Sequence, residues 1–316
     1  METNTFTTYD SVGIREDLID VIYDISPTDT PFVSNVASGN AKGTYHEWQI
    51  DSLADPADNP VPEGADASQA AVTPTTRVGN YCQIQSRVFG ISGTDMVADN
   101  AGRGVEMAYQ EAKKGLELRK SVEYAAVFVN KGYDAGTGVA PTREAGMIQS
   151  WIATNFVTAT DGVAPTGDGS DPKTDGGTQA AFTEALLESV IDSIYLEGGN
   201  PDVIMANTQQ KRVITNTFRG STDENKQSTD AKRIVNAVDF YESDYGTLSV
   251  VPNRYMPQDA VYVLDTDMWE IAYHRPYQTY PLAKTGDNES KQMIVEWTLV
   301  SRQEAASGAV YDLTNA

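Results

Sequence analysis

The spacing of hydrophobic and polar positions changes several times along this chain. Ile14, Leu18, Ile19 and Ile22 recur at helical spacing behind Asp10 and Ser11, which predicts a short capped amphipathic piece. Ser26-Pro27-Thr28-Asp29-Thr30-Pro31 ends it, because each proline disfavours a helical residue before it. The period then drops to two. Thr44–Ile50 and Asn80–Ile91 read as strands, with Trp48 and Ile50 on one face of the first and Cys82, Ile84 and Val88 on one face of the second. From Gly104 to Asn130 no proline interrupts a run of strong helix formers, which predicts a rod of roughly 40 Å at about 1.5 Å per residue. Val105, Tyr109, Ala112 and Leu116 mark one face of it, continued with a drift by Val122, Ala126 and Val129. Asp99 or Asn100 would cap its start and Gly132 its end. Gly115 inside it costs about 1 kcal/mol relative to Ala, which suggests close packing or a bend.

Residues 132–178 are rich in Gly, Thr, Asp and Pro and read as loops around one ordered patch, Gly146–Ile152. A second compact region starts at Thr178. Phe182, Leu186, Leu187, Val190, Ile191 and Ile194 form an amphipathic helix stopped by Gly198-Gly199-Asn200-Pro201. Val203–Ala206 reads as a short buried strand, Lys211–Phe218 as a basic helix and Arg219–Thr229 as a polar loop. Strands are expected at about 247–252, 260–264, 269–274 and 292–300, with Val310–Leu313 as a last one. Helices and strands come in runs, so the fold class is α+β.

Between the first two strands lies a stretch that cannot be core. Asp51 to Gly79 holds Pro56, Pro60, Pro62 and Pro74 and almost no large apolar side chain. Loops longer than about 12–15 residues in a compact domain are usually functional or disordered, and a two-stranded arm is marginal alone in water. An ordered arm of this kind needs support from outside the subunit, which points to an assembly.

Charge adds to this. The formal net charge is −22. A polyanion is repelled by phosphates and anionic lipid, so sequence-specific DNA binding is not expected; solubility and a container wall that does not stick to its nucleic acid both fit. The distribution is uneven: Arg15, Lys42, Arg77 and Arg87 are the only basic residues in the first hundred, whereas Arg103–Lys131 is slightly basic. Aromatic content of 9% is too high for a disordered chain. No apolar run approaches the roughly 20 residues of a membrane span, and the opening residues lack the basic and apolar regions of a signal peptide. Cys82 is the only cysteine, so an internal disulfide and a multi-cysteine zinc site are excluded.

Candidate chemistry is sparse. His46 and His274 are far apart, each in a predicted strand, and no G-x-S-x-G or phosphate loop is present; Ala283-Lys284-Thr285-Gly286 lacks the preceding glycines. Asp161, Asp168, Asp171 and Asp175 lie in a Gly-rich loop without the glycine and terminal glutamate of an EF-hand, so a solvated loop is expected. Asp55, Asp58, Glu63 and Asp66 at the tip are solvated or meet cations of a neighbouring subunit. Lys113, Lys114, Arg119 and Lys120 form a basic face on the long helix. Lys113–Glu117 and Arg119–Glu123 at i,i+4, with Lys114–Glu117 and Lys120–Glu123 at i,i+3, give each a local partner.

The order of parts resembles the major capsid proteins of tailed phages, with the Hong Kong 97 (HK97) fold. Gly13-Ile14-Arg15-Glu16-Asp17-Leu18, Ser26-Pro27-Thr28-Asp29-Thr30-Pro31-Phe32 and His46-Glu47-Trp48-Gln49-Ile50-Asp51-Ser52-Leu53 look like one branch of that family. So do Glu63-Gly64, Gly198-Gly199-Asn200-Pro201-Asp202 and Leu282-Ala283-Lys284-Thr285-Gly286-Asp287. The resemblance implies an N-terminal arm (1–40), an extended E-loop (41–98), a spine helix and peripheral domain (99–177) and an axial domain (178–260). Residues 261–316 would return to complete both domains. It also implies inter-subunit contacts through Phe32, Trp48, Ile50, Asp55, Asp58, Glu63, Asp66, Arg77 and Arg87. Some relatives lock the shell with an isopeptide bond from an E-loop lysine, but no lysine lies between Lys42 and Lys113. Some begin with a fused scaffolding segment; no charged helical prefix of that kind is read here, so a separate scaffolding protein is expected.

The resulting expectation is a structural, non-enzymatic subunit without cofactor or metal. It would assemble in the host cytoplasm into pentamers and hexamers of an icosahedral virion shell around double-stranded DNA. Scaffolding, portal and decoration proteins would be its partners; DNA contact would be weak and non-specific, and no membrane is involved. Two rivals are an encapsulin-like compartment and a secreted glycan-binding or hydrolase domain with paired carboxylates.

Overall fold

The computed structural model describes residues 26–314 apart from 55, 67, 68, 70, 99, 101–103, 140, 141, 159, 160 and 218–238. The amphipathic piece at Ile14–Ile22 and the polar loop 219–229 therefore lie outside the described residues.

The chain enters through α1 (Pro31–Asn35), a single turn with proline at its start, where the missing N–H costs nothing. β1 (Ala37–Asn40) follows, then β2 (Tyr45–Ile50) and β3 (Thr76–Tyr81), an antiparallel pair flanking the long excursion. β3 leads through Cys82 into β4 (Gln83–Ser92). The Ser92 hydroxyl caps α2 (Gly93–Val97), and α3 (Glu106–Phe128) is the predicted long helix. Next come α4 (Ile148–Trp151), β5 (Phe156–Thr158) and α5 (Glu184–Leu196). Gly198, at φ +85°, closes α5 in the left-handed conformation, and the Gly199 amide donates back to Ile194 O. The remainder is β6 (Val203–Ala206), α6 (Thr208–Thr217), β7 (Phe240–Ser243), β8 (Gly246–Pro252), β9 (Val261–Leu264), β10 (Trp269–Pro281), β11 (Asn288–Ser301) and β12 (Gly308–Tyr311).

Two sheets carry the body. One has the order β1-β10-β11-β4, the other β5-β12-β9-β6-β8-β7, while β2 and β3 form a separate ribbon. The largest core joins the two sheets: Leu118 and Val122 of α3 meet Trp151, Tyr262, Trp269 and Trp297. A second core lies between α5, α6 and the six-stranded sheet, around Leu187, Ile191, Ile194, Ile204 and Val263. The mixture of helix and sheet is α+β, as expected.

Several expectations change. The second strand-like run is not one strand. It breaks at Cys82, whose amide donates to Thr44 O at 2.8 Å and whose side chain is buried against Ala41, Ala272 and Val300. Beyond that break Ile84 and Val88 face solvent, while Phe89 and Ile91 turn toward Met107 of α3. The alternation persists, but the side that is covered reverses. β4 therefore leaves the ribbon and pairs with β11.

The apolar face of α3 also differs. Val105, Ala112 and Leu116 are exposed, and the buried positions are Met107, Leu118, Val122, Glu123, Ala125, Ala126 and Val127. The first half of the helix packs on one surface only, so its apolar residues are not all needed inside. A Cβ at Gly115 would sit 3.7 Å from the Met293 thioether, an ordinary contact, so close approach does not require glycine there. β10 and β11 are longer than expected, since both run out into a polar hairpin between 275 and 292. β1, β5 and β7 were not anticipated; at three or four residues each they are too short to show a period.

Candidate functional site

The excursion divides into an anchored base and an unsupported tip. At the base, the Trp48 ring lies 5.4 Å from Trp151, and Trp48 and Val78 pack against the main core. Tyr45, Tyr81 and Tyr133 form a ring cluster with centroids 4.5–6.1 Å apart, and burial pushes the Tyr45 phenol up to about 12. Asn80 is fully buried. Its Nδ2 donates to Gly146 O at 2.9 Å and Leu299 O at 2.7 Å, and its Oδ1 accepts from the Gly146 amide at 2.8 Å. One side chain thus ties the ribbon to the loop before α4 and to β11.

Trp48 and Ile50 do share a face, half-buried between exposed Glu47 and Gln49. The ribbon base is accordingly supported from within the subunit, contrary to the expectation that the whole arm needs an outside partner. The tip is another matter. Every described residue from Asp51 to Arg77 is exposed, including Leu53 at 98% and Val72 at 93%. Asp58, Glu63 and Asp66 make no hydrogen bond or ion pair among the described residues, and Gly64 turns the chain at φ +82°. Asp55 lies outside the described residues.

The remaining expected contact residues are engaged internally. Phe32 is fully buried in the main core, edge-on to Trp269 at 6.4 Å, so its side chain has no surface to offer a neighbour. Its placement is a correction, and the cause is α1, which turns the ring inward. Arg77 pairs across the ribbon with Glu47 at 3.1 Å. Arg87 donates to the Ser121 hydroxyl at 3.1 Å.

On α3, Lys114 pairs with Glu117 at 2.8 Å. Arg119 instead donates to Ser34 Oγ at 3.0 Å, and Lys113 and Lys120 make no ion pair among the described residues. The expected pairs with Glu123 do not form, because that carboxylate points into the protein. It accepts from the backbone amides of Phe32 (2.9 Å) and Val33 (2.8 Å) and from Asn253 Nδ2 (2.6 Å). Burial pushes its carboxyl up, opposed by those three donors. A glutamate inside the run Val122–Val127 was the only sequence signal for this anchor.

A second buried acid was missed as well. Glu296 accepts from Arg143 Nη2 at 2.5 Å and Arg275 Nε at 2.7 Å, tying the loop before α4 to β10 and β11. Neither histidine has a catalytic setting. His274 Nδ1 lies 2.9 Å from Ala41 O, and His46 lies 6.0 Å from the Trp48 ring. In the acidic loop, Asp168 and Asp171 accept from Thr166 and Ser170, and Asp175 pairs with Lys173. Among the described residues no group of three or more His, Cys, Asp or Glu could hold a metal ion, and no helix is long and apolar enough to cross a membrane. A groove of about 750 Å³ runs beside the second half of α3, between it, β4 and the segment 144–147.

The family model for the SU10 major capsid protein matches residues 1–314. The chain belongs to the SU10 major capsid protein family. A relative within reach is the major capsid protein of Escherichia phage Phieco32, 28% identical over 341 residues, covering 97% of this chain and 96% of that protein. Among solved structures, the capsid asymmetric unit of Cyanophage A-1(L) superposes with TM-score 0.66 at 15% identity, covering 98% of both chains. The structure of Mycobacterium phage Adephagia gives TM-score 0.62 at 13% identity, covering 96% of both chains. These neighbours show an HK97-like fold. The role of this SU10-family chain is structural, the major subunit of a phage capsid. The family match decides for the capsid over the compartment shell and the glycan-binding domain.

Proposed function

We propose that the excursion is an E-loop whose tip, from Asp51 to Thr75, is held by the next copy of the chain in an icosahedral shell around double-stranded DNA. The observation that supports this is the contrast within one ribbon: a base tied by Trp48 and Asn80, and a tip with every described side chain in water. Asp55, Asp58, Glu63 and Asp66 would meet a neighbour's cations, with Leu53, Val61 and Val72 covered at the same contact. Trp48, Ile50, Arg77 and Arg87 set the direction in which the loop leaves the subunit, and Phe32 fixes the arm.

In this reading residues 1–40 are the N-terminal arm, 41–98 the E-loop and 99–177 the spine helix and peripheral domain. Residues 178–260 form the axial domain and 261–316 complete both. Repeated heterologous contacts close into pentamers and hexamers. The loop holds by packing and charge, since beyond Lys42 at its start no lysine follows until Lys113 for a covalent lock. The subunit has no catalytic activity and no cofactor. Scaffolding, portal and decoration proteins join it in the host cytoplasm, and DNA contact is weak and non-specific. Lys113 is the basic residue of α3 most open to an outside partner; Lys114 and Arg119 are already engaged.

Electron microscopy of the protein expressed with and without its gene neighbours tests this reading. Uniform icosahedral shells are expected. A strictly monomeric protein under every condition would refute it.

A further inference from the structure

We propose that the groove beside α3 receives the turn Val61–Asp66 from the E-loop of a second copy of the chain. The inference rests on the E-loop reading and names the surface that the tip meets and the charges that hold it there.

The groove is floored by Ala125, Val129 and Met147, and Tyr124 on its wall remains 43% exposed. Two carboxylates also line it, and both are taken: Glu117 pairs with Lys114 at 2.8 Å and Glu144 with Lys131 at 2.7 Å. Arg87 and Lys120 are left without an ion pair among the described residues; Arg87 donates to the neutral Ser121 hydroxyl at 3.1 Å. The Oε1 of Gln85, which also lines the groove, is buried without a hydrogen-bond partner among the described residues. An occupant that matches this surface brings two carboxylates, an apolar side chain and a hydrogen-bond donor.

The turn has that chemistry. Pro62, Glu63, Gly64 and Ala65 form a β-turn closed by the Ala65 amide on Pro62 O at 3.2 Å, with Gly64 at φ +82° in the third position. Its shape is therefore set before it docks, which lowers the ordering cost of binding. Glu63 within the turn and Asp66 just after it are exposed and make no ion pair among the described residues, and Val61 beside them is 69% exposed. The amides of Glu63 and Gly64 make no backbone hydrogen bond among the described residues, so either can supply the donor for Gln85. In its own subunit the turn is not in the groove: every described residue of the tip is exposed, and none lines the groove. A contact between one patch and a different patch on the next copy is the heterologous kind that closes into rings.

Paired charge reversals in the full-length chain, expressed with its gene neighbours and scored by electron microscopy, test it. Arg87→Glu with Lys120→Glu, and separately Glu63→Arg with Asp66→Arg, should each cut the yield of shells about tenfold or more, because like charges then face each other. Subunit denaturation should be unchanged in both. Combining all four substitutions should restore most of the yield. Unaltered yield from either pair, or a combined variant that stays blocked, would overturn the seating. A second measurement does not depend on the reversals. A benzophenone amino acid in place of Tyr124, in shells assembled from mixed light and heavy isotopic chains, should cross-link light to heavy chains within residues 61–66. Adducts elsewhere, adducts confined to single chains, or none at all would likewise overturn it. Deleting Asp55–Ala71 separates this inference from the reading beneath it. Shells formed without the tip would refute the E-loop reading itself, whereas shells lost with the tip but indifferent to the reversals would refute only the groove.

Discussion

The two ends of one ribbon obey different rules. At the base, Trp48, Asn80 and three tyrosines are fixed by the subunit's own core, and of these a period of two in the sequence suffices to find Trp48. Beyond it, every described residue of the tip is exposed, and its one described side-chain bond back to the ribbon is from Thr75 to Gln49 at the very base. A segment that keeps Leu53 and Val72 in water is not stabilising the subunit. Its sequence answers to something else, and membership of a capsid family is consistent with the proposal that this is another subunit.

Changes at the base should cost folding energy, and changes at the tip should cost assembly only. Asn80→Ala leaves the Gly146 amide and Leu299 O short of a partner, so urea denaturation of the free subunit should show a loss of about 3 kcal/mol. Trp48→Ala removes ring packing on Trp151; the ring is half-buried, so the expected loss is about 2 kcal/mol, below the usual cost for a fully buried aromatic. The arm's anchor behaves like the base but depends on pH. Burial raises the Glu123 carboxyl above its ordinary 4.5, so the folded state retains a proton that the unfolded chain has released. Its contribution is fully present below about pH 4.5 and is lost as pH rises through the raised value. In denaturation series across that window, Glu123→Gln should lack this downward slope; an unchanged slope would remove Glu123 as its source. Smallest of all, Asp58→Asn with Glu63→Gln and Asp66→Asn should shift subunit stability by no more than about 0.5 kcal/mol, as exposed substitutions do. A larger loss would mean that the tip is held within the subunit after all.

Much of this was legible beforehand, for identifiable reasons. α5 carried a clean helical stripe from Phe182 to Ile194 and a glycine stop, and its core is where the pattern put it. The ribbon base was legible because Trp48 and Ile50 alternate with polar residues. The face of α3 was not, because its first half packs on one side and its second half hides Glu123 among aliphatic residues. The reversal at Cys82 was hidden too: the residues on both sides continue the alternation, and only the partner strand changes. Asn80 and Glu296 could not be singled out, since a buried polar residue is recognisable only by the distant backbone or arginine that satisfies it. For the tip, composition showed that it is not core, and the family shows only that the chain as a whole is a phage capsid subunit.

The central claim is that the tip contributes to the shell and not to the subunit. Deleting Asp55–Ala71 and comparing the variant with the intact chain, by electron microscopy and by subunit denaturation in parallel, tests it most directly. A soluble, normally stable subunit that forms no shells is the predicted result. Intact shells from the deleted chain would contradict it.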